Sequence, residues 1–510
     1  MLPVFAFSAF TMLASVIING ADPLSIPGVE DSAAVGPVLA TNGSGGSTVV
    51  SLFQIGRFSG DAAAGMAFSV STNGGQTWNA TWLPGLTRAQ SPSNPYDRVT
   101  YESIAWNQKY GEFLASVLPI SNVAEPQYGE TDTTLPPVVL RSGNGFTWTA
   151  PQPVTNGAGE IRPEKNYIAC DNNASSRYYG NCYVAWDDND NNDAFHAATS
   201  TNGGVTWGPT LNSANGHSSF GGQPVILPNG TVVVVTEDSS GYDGTAENII
   251  AFVSTNGGAS WSAAYEVSPL TTHTVAGDMR TQGLPSTAVD ASGTIYTVWQ
   301  DCRFRSGCSS NDIVLSESRN GIQWSTPYRV PLDSTTSGAD HFLPTLAARS
   351  TIFGTTLGLS YYGYPNANCT AATCTPYAYF ADSYNDGGSW SSPAALAGPF
   401  NNTWFASTGA GYMVADYFES AYPVYGYIAP VTVASPPTGS TYHEMVGVSL
   451  GNGYNLWDQS RLARVAGARP GLGAADSLSL HTKAKKFDPP VNPAQLAPWR
   501  KLGKHASRTS

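Results

Sequence analysis

Short apolar runs recur along this chain, separated by clusters of turn-forming residues. Residues 224–227 turn at Pro228-Asn229-Gly230 into 231–235, and a third run follows at 248–253. The same order returns as 286–289, a turn at 290–293, then 294–299 and 312–315. β-branched and aromatic runs bounded by Gly, Asn and Pro are strands. Each third run leads into a phrase such as Ser71-Thr72-Asn73-Gly74-Gly75-Gln76-Thr77-Trp78, repeated at 200–207 and 254–261. Weaker copies occupy 141–148, 318–324 and 383–390, and the six tryptophans fall 70, 59, 54, 63 and 66 residues apart. A period in this range marks a solenoid or propeller. Ser and Asn side chains bond nearby backbone N–H groups, paired glycines supply positive φ, and Thr-Trp re-enters a strand. Four strands per repeat, two before the third and one after the phrase, make a propeller blade. The expected fold is an all-β propeller of four-stranded antiparallel blades.

The phrase resembles the Asp-box of the sialidase superfamily, Ser-x-Asp-x-Gly-x-Thr-Trp. Asn73, Asn202, Asn256 and Asn385 take the place of Asp, Gly143 takes it in the second copy, and the copy at Ser318 is one residue short. A faded seventh unit is expected from 411–414, 423–428 and 442–448, with a last box at 449–457. Trp457 lies 67 residues beyond Trp390, so seven blades over about 30–470 are favoured, and six blades plus an appended β segment are the alternative.

Composition narrows the function. Charged residues make up only 12% of the 510, and the net charge is −13, which suits a turn-rich β protein and argues against a nucleic-acid partner. Residues 1–21 read as a secretory signal, and no later stretch is long and apolar enough to span a membrane. Six cysteines fall as close pairs, Cys170/Cys182, Cys302/Cys308 and Cys369/Cys374, which reads as three disulfides in an extracellular protein. The first would staple a hairpin, and the other two would tie off loops. Six glycosylation sequons begin at Asn42, Asn79, Asn173, Asn229, Asn368 and Asn401. The strand pattern stops near 474, and residues 474–510 carry seven Lys or Arg against two Asp, a net of +5 that reads as a solvated tail. A monomer is expected.

Chemistry is expected where the first strand of each blade begins and the second ends, because those loops converge on the axial opening. Asp97-Arg98, Glu164-Lys165, Asp278 with Arg280, and Asp340-His341 precede first strands. Arg57, Asp187-Asp188, Glu237-Asp238, Asp301 with Arg303, Tyr361-Tyr362 and Asp416-Tyr417 follow second strands. A glycosidase pairs a protonated carboxyl with a base or nucleophile. Asp301, Glu237 and Asp187 are the acid/base candidates, and Tyr361 the nucleophile or stacking residue. Arg98, Arg280, Arg303, Arg57, Asp278 and His341 are the substrate-binding candidates. Arg303 would keep Asp301 ionised, while Glu237 beside Asp238 could hold one proton.

The resemblance implies a secreted glycosidase that removes a terminal, acidic sugar from extracellular glycans. Residues 35–43 keep the Pro-x-Leu-x-x-Thr-Asn-Gly frame of the family's opening motif without its arginine. A uronic-acid lyase and a non-catalytic glycan-binding propeller are the alternatives. No cofactor motif stands out. The acidic run 187–193 reads as a polar turn, and Ca²⁺ near Asp188 and Asp190 would be structural.

Overall fold

The computed structural model describes residues 15–17 and 29–450, apart from 60–61, 122–132, 156–161, 239–247, 353 and 440. The described residues form an all-β structure whose only helices are three one-turn 3₁₀ segments. Six antiparallel four-stranded units follow in chain order. Units one to three run Val29–Thr41, Val49–Phe58, Ala63–Ser71, Asn79–Trp82; then Arg98–Asn107, Glu112–Ser121, Val138–Ser142, Gln152–Pro153; then Pro163–Cys170, Cys182–Asp188, Ala194–Ser200, Leu211–Asn212. Units four to six run Phe220–Ile226, Val232–Glu237, Asn248–Ser254, Tyr265–Pro269; then Ser286–Val289, Ile295–Asp301, Asp312–Ser318, Tyr328–Arg329; then Asp340–Thr351, Gly354–Tyr364, Tyr377–Ser383, Ala394–Ala397. A bridge between Ala63 and Val99 merges units one and two into one larger sheet.

The tryptophan hairpins join third to fourth strands, and their side chains replace the missing backbone partners. Gly75 N donates to Ser71 Oγ at 2.8 Å, Thr77 N to Asn73 Oδ1 at 2.9 Å, and Trp78 Nε1 to the Gly75 carbonyl at 2.8 Å. The two backbone-to-side-chain bonds recur from Ser200, Ser254 and Ser383, and the indole bond recurs at Trp390 but not at Trp207 or Trp261. The second copy is anchored at Ser142, one residue later than its expected start. There Asn144, not Gly143, accepts from Thr147 N at 2.9 Å. This copy is therefore one residue short, as is the one from Ser318, where Asn320 accepts from Gln323 N.

Each hairpin leans on the preceding unit. At Gly257, with φ +70°, a Cβ would come within 2.4 Å of the Tyr178 ring of unit three. At Gly74, with φ +67°, it would come within 2.5 Å of Tyr425, which follows unit six. Apolar faces fill the spaces between sheets: Tyr183, Phe195, Val232 and Phe252 between units three and four, and Val233, Val253, Trp299 and Val314 between four and five. Each such buried side chain contributes roughly 1.5–3 kcal/mol.

Beyond unit six the expected run 423–428 is not a strand. Instead Ile428–Thr438 and Thr441–Leu450 form a long hairpin, preceded by the short pair Ser407–Thr408 and Gly411–Tyr412. The hairpin packs Val431 and Val433 with Phe342 and Tyr362 of unit six, and Ile428, Val446 and Val448 with Val49 and Phe53 of unit one. The last box, 451–457 in the main, lies outside the described residues, as do most of the expected signal and the basic tail. Ser15–Ile17, inside the expected signal, pairs with Gly447, Val448 and Ser449.

Candidate functional site

The first strand of a unit carries a bulge in five of the six units. Register shifts fall at Gly36, Tyr101, Lys165, Gly221 and Leu343, and each of these residues has φ between 45° and 71°. A left-handed conformation at a non-glycine residue costs about 1–3 kcal/mol and re-aims the side chains around it. At Tyr101 and Lys165 it brings two polar side chains together. Lys165 Nζ donates to the Tyr101 hydroxyl at 3.2 Å, lies 3.6 Å from Glu164 Oε2, and sits over the Phe220 ring at 4.2 Å. Burial opposes its charge, yet Glu164, Tyr101 and Asp416 outweigh burial and raise the ammonium pKa.

Asp187 stands opposite Glu164 in the antiparallel register and is fully buried. Burial, then the Glu164 charge, push its carboxyl well above the ordinary range against the pull of Lys165. Oδ1 accepts from Gly221 N at 3.3 Å, while Oδ2 has no hydrogen-bond partner. Arg280 forks onto Asp416, with Nε–Oδ1 at 2.6 Å and Nη2–Oδ2 at 2.7 Å. Burial would raise the Asp416 carboxyl, but Arg280 and Lys165 hold it low. Next to this group, burial pushes Glu102 and Glu419 up to about 8; Gln54 Nε2 donates to the first and Ser103 Oγ to the second. The Tyr167 and Tyr417 rings lie 4.2 Å apart, tilted by 32°, and the Tyr417 hydroxyl donates to the Asn166 carbonyl. Asp187, Arg280 and the Glu164-Lys165 and Asp416-Tyr417 pairs thus meet, as their loop positions predict. Tyr101, Glu102 and Glu419 join them without a signal in the sequence.

The other candidates lie elsewhere. Asp301 is fully buried and spent on scaffold: it accepts from Arg303 N at 2.8 Å, from Arg303 Nη2 at 2.6 Å, and from Trp299 Nε1 at 3.2 Å. Arg303 is correspondingly engaged. Glu237 is half-buried opposite Phe220, bordering the Lys165 group, and Asp238 accepts from Ser218 Oγ at 2.8 Å. Tyr361 is inside the core, 2% exposed, between the rings of His341 and Tyr379. Burial pushes its phenol well above the ordinary range. His341 is also buried, its Nδ1 2.9 Å from the Asn311 carbonyl, and burial holds its pKa down. Arg98 is buried with its guanidinium 3.9 Å over Phe58. Asp278 is exposed at φ 56°, and its carbonyl accepts from Tyr412 N. Arg57 is buried, donates to Gln54 Oε1 at 2.8 Å, and sits in the field of Glu30, Glu102 and Glu444.

The cysteines pair as expected, and their role is structural. Cys170–Cys182 joins the first two strands of unit three, where the two residues face each other in register. Cys302–Cys308 closes the loop after the second strand of unit five. Cys308 ends the 3₁₀ turn Ser306–Cys308 with φ 53°, and its N donates to the Arg305 carbonyl at 3.1 Å. Cys369–Cys374 closes the loop after the second strand of unit six. Cys374 is fully buried among Tyr364, Phe400 and Phe405, and its N donates to the Thr370 carbonyl at 2.8 Å. Cys308 and Cys374 are thus loop fasteners and not ligand-binding groups, and no cysteine among the described residues is free.

Among the described residues, Asp312, Asp333 and His341 each offer a ligand atom within 4.8 Å of the others. Guanidinium groups already fill that space: Arg305 Nη2 is 2.5 Å from Asp312 and 2.7 Å from Asp333, and Arg329 Nε is 2.9 Å from Asp312. In the acidic turn, Asp188 Oδ1 takes the Arg162 amide and Asp190 pairs with the Arg162 side chain.

No protein-family model and no curated protein matches the chain. It resembles several solved structures at low identity. A protein of unknown function from Dyadobacter fermentans is 14% identical with a TM-score of 0.45, over 72% of this chain and 97% of that one. The intramolecular trans-sialidase of Ruminococcus gnavus is 13% identical with a TM-score of 0.44, over 68% and 92%. The α-L-arabinanase of Penicillium chrysogenum is 15% identical with a TM-score of 0.42, over 69% and 92%.

Proposed function

We propose that the protein is an extracellular β-propeller glycosidase, acting on a terminal acidic sugar, with its site around Lys165 and not around Asp301. One observation carries the reading: Lys165 Nζ hydrogen-bonds the Tyr101 hydroxyl beside Glu164, and Glu164 stands opposite Asp187, whose carboxyl burial pushes well above its ordinary range. A carboxyl kept neutral near pH 7 supplies the proton that a departing glycosidic oxygen needs. An ammonium donating to a phenol oxygen stabilises the phenolate, and Glu164, 3.6 Å from that ammonium, would take its proton. Tyr101 is then the nucleophile that adds to the anomeric carbon as Asp187 protonates the leaving group. The Lys165 charge favours an anionic substrate. The three disulfides fit an extracellular protein.

A second reading is a glycan-binding scaffold, favoured by the closed Arg280–Asp416 and Asp301–Arg303 forks. Incubation of the purified full chain with sialylated, uronic-acid and neutral glycosides separates the two. Release of one sugar, lost at least 100-fold in both Tyr101→Phe and Asp187→Asn while glycan binding persists, is the expected result. Binding without release by the unaltered chain selects the scaffold.

A further inference from the structure

The hairpin side of the fold carries a cleft of about 380 Å³ between units five and six that neither reading uses. Its walls include Glu317, Tyr328, Arg329, Asp386 and Trp390. Arg329 is neutralised in place, since it pairs with Asp312 at 2.9 Å and also with Asp333. Glu317 Oε1 is held by the Tyr328 hydroxyl at 3.0 Å, and Asp386 is exposed with Oδ1 taking Thr355 N at 2.9 Å. The cleft is thus two carboxylates beside two aromatic rings, a lining that suits a cationic side chain through charge and cation–π attraction.

We infer that this cleft docks the chain's own basic segment around Lys483, Lys485 and Lys486. Three facts select that occupant. The chain is divided by charge: residues 451–510 hold ten Lys or Arg against three Asp, net +7, whereas 1–450 hold 14 basic and 34 acidic residues, net −20. The described fold also ends on the correct side. Leu450 pairs with Ile428, and Ile428 bridges Ala421, next to the segment that meets the first unit's turn through Gly45 N to the Tyr422 carbonyl and Val424 N to the Gly46 carbonyl. That turn and the tryptophan hairpins share one side of the sheets. Finally, the 33 residues from Leu450 to Lys483 span about 30 Å even as a random coil, enough to pass the adjoining unit.

Zero-length carbodiimide coupling of the full chain at low salt, followed by peptide mapping, tests this. The expected products join Lys483, Lys485 or Lys486 to Glu317 or Asp386 within one molecule, with yields at least fivefold lower in 0.5 M NaCl and in the Glu317→Gln/Asp386→Asn variant. Links from these lysines to carboxylates outside the cleft overturn the inference. So do links formed only between ¹⁴N- and ¹⁵N-labelled copies. A second measurement does not depend on altering the cleft: Lys483→Gln/Lys485→Gln/Lys486→Gln speeds amide exchange at 384–390 at least threefold if the segment docks there, and unchanged exchange refutes docking.

Discussion

Two buried ionic groups in this molecule look alike in the sequence and differ in balance. Around Arg305, one guanidinium meets Asp312 and Asp333 and the carbonyls of Ser334 and Ser337. Charges there are matched by charges, and Asp333 is held below its ordinary range, burial being outweighed by Ser337, His341 and Arg305. Around Lys165, acids outnumber the nearby bases, and burial pushes Asp187, Glu102 and Glu419 up. The first group stabilises loops; the second stores protons. A matched cluster is inert near neutrality, whereas a mismatched one stays ready to exchange protons with a ligand or with solvent.

The largest expected effect tests the matched side. Arg305→Met removes the buried guanidinium shared by Asp312 and Asp333 and leaves them Arg329 alone, a loss of about 3–5 kcal/mol. Lys165→Met is expected to cost less than half as much, because Asp416 keeps the Arg280 fork as its cation and burial already pushes the Asp187 carboxyl up. Thermal melts of both variants decide this, and equal losses would erase the distinction.

A smaller effect is the pH profile. Burial raises folded Asp340 to about 6, Glu30 to about 7, and Glu102 and Glu419 to about 8, from ordinary values of 3.8 and 4.5. The folded chain therefore keeps protons that the unfolded chain releases. The contribution of these four acids is complete below about pH 4 and falls as pH rises toward 8. Melting temperatures are expected to drop steadily from pH 5 to pH 9, and Glu102→Gln to flatten the slope. A profile that rises over this window contradicts the assignment of protons to these acids.

The smallest effect sets a baseline outside both groups. Ser254→Ala removes the oxygen that accepts from Gly258 N, at a cost of about 1 kcal/mol, with no change in the pH profile. A changed profile in that variant would mean that the hairpins and the ionic groups are coupled.

The repeat was legible because each hairpin is local: Ser, Asn, Gly and Trp satisfy one another within eight residues. The disulfides were legible for the same reason, since Cys308 and Cys374 each find the nearest cysteine before them. The Asn144 register is hard to read because a one-residue deletion hides in glycine-rich sequence. Loop position located Glu164, Asp187, Arg280 and Asp416, since topology alone carries them to neighbouring strand ends. It did not bring Asp301 into that group, because Arg303 two residues on folds back onto it, as their spacing suggests. Tyr101 was invisible for another reason. Nothing in Val99-Thr100-Tyr101-Glu102-Ser103 marks a bulge, and at Gly36 and Gly221 alone among the five did a glycine hint at one. Packing of the first strands of neighbouring units against one another, not local preference, imposes that conformation.

The segment after unit six has a consequence for biosynthesis. Asp416 reaches Arg280 136 residues upstream, and Glu419 reaches Ser103 316 residues upstream. A nascent chain stalled before residue 416 has Arg280 and the acids around Ser103 without these closing contacts, beside strand edges that invite intermolecular pairing. Such contacts between distant residues form slowly. Truncated products of this chain should therefore aggregate rather than accumulate as shorter folded forms.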